Sequence, residues 1–253
     1  MIPPLPPGFL DRPFAHRALH DGTGACPENS LPAIRAACAI GYGIEVDVQL
    51  SSDGRAMVFH DHDLERLTGG AGPVRAQTSA ALQDARLLGG TAQVPTLAAC
   101  LDEIAGRVPL LIEIKDQDGG LGPDIGALEE AVARDIAWYD GPLAVMSFNP
   151  HSTAAMRDLA PDVCRGLTTC DFAEAEYAGL SEARRAALAG ITDFKRAGAA
   201  FVSHDRNDLS NPAVTRLKAA GVPILCWTVR SAEQEHDARE VADQITFEGY
   251  VPA

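Results

Sequence analysis

Seven residues form a set able to move protons, hold a cation and bind phosphate: His16, Arg17, Glu45, Asp47, His60, Glu113 and Lys115. Glu45 and Asp47 stand two apart in IEVDVQL, and Glu113 and Lys115 two apart in PLLIEIK. Residues i and i+2 of a strand share a face, so each pair projects together. Their neighbours Ile44, Val46, Val48, Ile112 and Ile114 are apolar and face the other way. A carboxylate on the inner face of a strand is costly unless paired or metal-bound, and three of them oppose one another's ionisation. A divalent cation removes that conflict, and an all-oxygen donor set favours Mg2+ or Ca2+ over zinc or copper.

The remaining members suit phosphate chemistry. Two histidines can divide acid and base work near neutral pH. A bound cation can polarise a phosphoryl oxygen. Arg17 can neutralise phosphate oxygens in bidentate fashion, Lys115 as a point charge. Phosphodiester cleavage fits this set better than acyl transfer, and the sequence has no G-x-S-x-G nucleophile elbow. Each feature alone has a plainer reading. E-x-D pairs are common on strands, with one member often in a salt bridge, and a lone histidine at a strand end is more often a hydrogen-bonded structural group. The conjunction at predicted strand ends is what points to a site.

Those strand ends need elements to place them. Residues 14–17, 44–50 and 56–60 read as strands, the last two as a hairpin or as neighbours around the Asp53-Gly54 turn. Residues 31–40 read as a helix opened by Asn29 and Ser30 and closed by Gly41. Residues 61–94 are less regular and read as an insertion with a short helix near 79–87. Further strands are predicted at 109–114, 143–148, 163–167, 200–203, 222–229 and 243–247. Helices are predicted at 97–105, 125–139, 150–159, 181–197 (interrupted at Gly190), 212–220 and 232–241. Strands alternating with helices predict an α/β fold with a parallel sheet. A closed (β/α)8 barrel is preferred to an open sheet because no Gly-rich dinucleotide loop follows the first strand. In such a barrel the reactive groups sit at the carboxyl ends of the strands.

Composition narrows the partners. The 253 residues carry 35 acidic and 21 basic side chains, a net charge of −14, which disfavours nucleic acid and anionic membrane surfaces. The six cysteines, Cys26, Cys38, Cys100, Cys164, Cys170 and Cys226, form no C-x-x-C pair and read as scattered thiols rather than a disulfide framework. The Pro-rich opening MIPPLPPGFLDRPFAHR lacks the regions of a signal peptide, and no stretch reaches membrane-spanning length. The expectation is a cytoplasmic protein without stable membrane association.

The strings AHRA, PENS, IEVDVQLSSDGRAMVFHDHDLERLTG, VPTLAACL, LLIEIKDQ and WTV occur in that order. Together they resemble the glycerophosphodiester phosphodiesterase family, closely over the first half and loosely beyond. The resemblance implies one TIM-type barrel over residues 1–253, with the insertion at about 61–94 capping one side of the mouth. It implies metal ligation by Glu45, Asp47 and Glu113, a catalytic pair of His16 and His60, and phosphate contacts from Arg17 and Lys115. Asp61 would orient an imidazole or stand behind the groups that touch the cation or substrate. Glu28 would line the site or anchor the first loop with Asn29, and Trp227 would wall the glycerol or headgroup or simply pack the core. The implied substrate is a small glycerophosphodiester and the implied cofactor Mg2+ or Ca2+.

Four departures bear on substrate choice more than on chemistry. HRA replaces H-R-G, so Ala18 must accept a backbone conformation that glycine takes freely. The loop 19–27 is long. WTVR replaces W-T-V-N, placing Arg230 near the mouth as an anion contact or a surface charge. QITFEGYVP replaces G-I-I-T-D-x-P, with no Asp at the expected place. Two rival readings keep the fold. Lysophospholipase D-type activity on single-chain lipids would need an apolar groove, and neither the Pro-rich segment nor the insertion is conspicuously apolar. A non-catalytic barrel binding a phosphorylated metabolite is opposed by the presence of all seven site residues.

Overall fold

The computed structural model describes residues 2–22 and 24–253; Met1, and Thr23 within the 19–27 loop, lie outside the described residues. Eight parallel strands close a barrel: β1 (Phe14–Ala15), β2 (Gly43–Leu50), β4 (Leu110–Ile114), β5 (Leu143–Ser147), β6 (Cys164–Thr169), β7 (Phe201–Asp205), β8 (Ile224–Val229) and β9 (Gln244–Phe247). β1 makes the closure, pairing Phe14 with Gly43 on one side and with Thr246 on the other. The ninth strand, β3 (Ala56–Val58), lies antiparallel to the end of β2, with Val48 opposite Val58.

This settles the two readings of residues 44–60 in favour of a hairpin. It also corrects the placing of His60 at the end of a barrel strand. β4 occupies one edge of β2 at Val48, so β3 takes the edge that short β1 leaves open. His60 therefore reaches the mouth from a hairpin on the rim. β1 itself ends two residues before the predicted boundary because Arg17 and Ala18 turn to positive φ, 53° and 64°.

Each crossover carries a helix, and local chemistry fixes the ends. Ser30 Oγ accepts from the Ala33 N–H to open Leu31–Ile40, and Gly41 at φ 88° closes it. Leu97–Ile104, Pro150–Leu159 and Pro212–Ala219 start on Thr96, Asn149 and Asn211 caps. The predicted helix 181–197 is two, Glu182–Ala189 and Phe194–Ala197, broken next to Gly190. Ala127–Ile136 is shorter at both ends than predicted, and a glycine precedes it. None of the described helices is long and apolar enough to cross a membrane.

Two apolar layers hold the barrel. Ile44, Val46, Val48, Ile112 and Ile114 face outward into a core shared with Ile34, Leu97, Leu128, Val132 and Met156 of the helices. Inside, Phe9, Phe14, Leu111, Met146, Cys164, Phe201 and Leu225 form the floor. Residues 61–94 build a separate small core, Leu64, Val74, Leu82, Leu87 and Val94, against Met57 and Phe59 of the hairpin segment.

Glycine makes the floor fit. A Cβ on Gly166 would lie 2.4 Å from the Phe201 ring, and one on Gly43 would lie 2.8 Å from the Phe14 ring. Overpacking of this kind costs about 1–3 kcal/mol. Gly166→Ala is therefore expected to lower Tm by several degrees, and Gly166→Ala with Phe201→Leu to regain part of it; calorimetry on the three proteins checks both.

Candidate active site

The inner faces of the strands change from apolar at the floor to charged at the mouth. On β2 the inward series is Gly43, Glu45, Asp47; on β4 it is Leu111, then Glu113. Parallel pairing sets Asp47 beside Glu113. One carboxylate oxygen from each of Glu45, Asp47 and Glu113 can be chosen so that all three lie within 4.8 Å of one another, and all three residues are buried.

Protein donors neutralise this cluster unevenly. Lys115 Nζ lies 2.8 Å from Asp47 and 2.5 Å from Glu113. Burial alone would lower the lysine's pKa, but Asp47 and Glu113 outweigh it and raise it. Burial likewise works against an ionised Asp47, yet Lys115, His60 and Arg17 hold it far below the ordinary carboxylate range. Asn29, at φ 53°, donates to Asp47 Oδ2 at 2.9 Å and accepts the Asp47 N–H at 3.2 Å. Glu45 is less well served. Burial, then Asp47 and Glu113, push its pKa well up, against one N–H from Arg17 at 2.8 Å. Three buried acids share one ammonium and a guanidinium that Glu28 also engages, which leaves a charge deficit, and their oxygens form the donor set of a hard divalent ion. The residues thus fit the cation that the motifs imply.

The turn after β1 presents His16 and Arg17 together. Positive φ at Arg17 and Ala18 lets the Ala18 N–H reach the Glu45 carbonyl at 2.9 Å while the Arg17 N–H meets the Glu45 carboxylate. Ala18 does adopt the conformation anticipated for it. The Arg17 guanidinium sits 2.7 Å from Glu28 and 3.7 Å from Asp47.

Both imidazoles are held at Nδ1 by carboxylates. His60 meets Asp61 at 2.7 Å and His16 meets Glu248 at 2.6 Å, which leaves each Nε2 for the cavity. Burial lowers the His16 pKa, opposed by the Glu248 hydrogen bond. Arg66, from the LERLTG motif, binds Asp61 at 2.6 and 2.7 Å and Glu28 at 2.8 and 2.9 Å. One guanidinium thereby ties the carboxylate behind His60 to the carboxylate behind Arg17.

Two connected spaces open here. A cavity of about 280 Å³ is lined by His16, Arg17, Glu45, Asp47, His60, Glu113, Lys115 and Trp227, among others. A groove of about 1090 Å³ runs beside it between the insertion and the segment after β4, with Phe148, Tyr177 and Trp227 along one wall. Trp227 donates its indole N–H to the Ser203 carbonyl at 3.1 Å and meets Phe148 edge-on at 5.5 Å, so it borders both spaces. Eight of the ten residues given a site role from the sequence line the small cavity; Glu28 stands behind Arg17 and Asp61 behind His60. Sequence reasoning did not assign Asn29 to Asp47, or find Thr168 at 3.4 Å from Glu113, Arg66 or Glu248. Asn29 and Arg66 carried a signal in the motifs themselves. Glu248 stands at the end of the strand where an Asp was sought, with one methylene more.

A parallel barrel with Glu45, Asp47 and Glu113 at its carboxyl face, and both imidazoles held there, is built as an enzyme of the (β/α)8 class. The model of the Glycerophosphoryl diester phosphodiesterase family matches residues 16–244, and the chain belongs to that family. Bacillus subtilis YhdW is 29% identical over 227 residues, covering 86% of each chain. A glycerophosphodiester phosphodiesterase of Caldanaerobacter subterraneus is 33% identical over 151 residues, 56% of this chain and 60% of the relative. Among solved structures, an Oleispira antarctica phosphodiesterase in complex with its product sn-glycerol-3-phosphate shares the fold at TM-score 0.75 and 23% identity, over 94% of this chain and 92% of that one.

The raised Glu45 pKa has a signed consequence for the chelated protein. Its stabilising contribution is complete below the unfolded carboxylate value and is lost as pH rises through the folded one. Glu45→Gln is expected to raise Tm at pH 8 in EDTA, with the gain shrinking as pH falls towards 5. Thermal melts across pH test this; a gain largest at acid pH would contradict it.

Proposed function

We propose that the protein hydrolyses glycerophosphodiesters to sn-glycerol 3-phosphate and an alcohol, with a divalent cation and a two-histidine acid–base pair. The observation carrying this reading is the convergence of three buried acids and two carboxylate-held imidazoles on one small cavity. Glu45, Asp47 and Glu113 would hold Mg2+ or Ca2+, which supplies Lewis-acid polarisation of a phosphoryl oxygen. Arg17 and Lys115 offset charge on the non-bridging oxygens, and Glu28 keeps the Arg17 guanidinium in place. His16, neutral near pH 7 because burial lowers its pKa, takes a proton from the nucleophile through Nε2. His60 donates one to the departing alkoxide. Water and the neighbouring glycerol hydroxyl, acting through a cyclic phosphate, are both chemically suited as nucleophile. Trp227 walls the organic part of the substrate. The six unpaired cysteines support a cytoplasmic address.

A second reading has one observation behind it. The groove of about 1090 Å³ and its Phe148–Tyr177–Trp227 wall offer room for a single acyl chain, which suits lysophospholipase D-type cleavage.

With glycerophosphocholine, release of glycerol 3-phosphate is expected, abolished by EDTA and restored by Mg2+ or Ca2+. His16→Ala and His60→Ala are each expected to lower kcat by about 10²–10⁴-fold. Full activity in both variants would refute the pair. Faster turnover of lysophosphatidylcholine than of glycerophosphocholine would favour the second reading.

A further inference from the structure

The geometry points to Glu248, clamped by Arg230, as the positioning residue that sets the ring orientation and tautomer of His16; this rests on the reading of His16 as a proton carrier. The two carboxylate oxygens are divided. Oε2 lies 2.6 Å from His16 Nδ1 and Oε1 accepts from Arg230 Nε at 2.6 Å. Both backbones are fixed where the barrel closes: the His16 N–H donates to the Phe247 carbonyl at 2.9 Å and the Glu248 N–H to the Val229 carbonyl at 3.0 Å. The Arg230 N–H donates to Gln234 Oε1 at 2.7 Å, which ties the arginine to the start of the helix Ala232–Arg239.

These contacts decide what the imidazole can do. An Nδ1–H donated to a carboxylate leaves the Nε2 lone pair towards the cavity, and the carboxylate stabilises the imidazolium once Nε2 is protonated. Arg230 keeps Glu248 from rotating away and favours its ionised form. His20 Nε2 also lies 3.7 Å from Oε2. The second imidazole repeats the pattern with unrelated chain segments, His60 on Asp61 and Asp61 on Arg66. The site thus contains imidazole–carboxylate–guanidinium chains on both sides. Arg230 in WTVR and Glu248 in QITFEGYVP also lie in two of the four segments that differ from the resembled motifs. Arg230 has a different potential use, since it lines the 280 Å³ cavity and could meet substrate phosphate directly. As an exposed ion pair, 54% exposed at Arg230, it contributes little to stability, so a purely structural role and a positioning role differ in what they move.

Steady-state kinetics on glycerophosphocholine with the metal-loaded enzyme distinguishes these. Glu248→Ala is expected to lower kcat about 10–100-fold, with KM within about 2-fold and Tm nearly unchanged. Glu248→Gln, which keeps an acceptor but no charge, is expected to fall between Glu248→Ala and the parent. Arg230→Met should lower kcat by a smaller factor and Arg230→Lys recover part of it. In the His16→Ala background Glu248→Ala should cost nothing further. Independently of turnover, 15N chemical shifts of the His16 ring should report the Nδ1–H tautomer in the parent and a mixture in Glu248→Ala. An unchanged kcat in Glu248→Ala, or an equal loss with and without His16, would overturn the proposal, and a KM rise alone in Arg230→Met would make that arginine a phosphate contact. Full activity of His16→Ala would instead remove the reading of His16 as proton carrier, and the ring shifts would still decide whether Glu248 sets its tautomer.

Discussion

The structure depends on a repulsion. Glu45, Asp47 and Glu113 are held on the inner faces of two adjacent strands, in a register that places Asp47 beside Glu113. The strands cannot relax away from this contact, because their outer faces are sealed against the helices by Ile44, Val46, Val48, Ile112 and Ile114. The surroundings are arranged to make that confinement tolerable. Lys115 is set against two acids, the Arg17 amide against the third, and Asn29 against Asp47. What they leave uncompensated at Glu45 is the physical argument for the cation proposed there.

The barrel can carry this charge at its mouth because its floor carries none. Phe9, Phe14, Phe201 and Leu225 fill the lower layers, and the glycines at 43 and 166 admit the rings of Phe14 and Phe201. Polar groups are thereby concentrated in one layer, where low dielectric strengthens each contact and where the open end still admits a substrate.

The two imidazoles proposed to carry protons need orientation as well as proximity, and their Nδ1 partners are held from outside the cavity. The insertion supplies Arg66, which joins the supports of His60 and Arg17, two residues delivered by different parts of the fold. The far end of the chain supplies Glu248 to His16 across the seam that closes the barrel. Strand closure and site assembly are the same event on that side of the molecule.

Much was legible in the sequence because it is local. The two-residue period of IEVDVQL and PLLIEIK fixed which acids share a face, Ser30 and Gly41 fixed a helix, and the ordered motifs fixed the class of barrel. The family match supports that class, and the eight parallel strands show it. Tertiary structure alone decided the rest. Antiparallel pairing moved His60 from a barrel strand to a rim hairpin. The Lys115 ammonium lies between two acids only because β2 and β4 are neighbours in register. His16 and Glu248 are 232 residues apart, and no periodicity or cap relates positions so distant. Side-chain direction follows from a few neighbouring dihedrals, whereas the choice of partner follows from how the whole sheet closes.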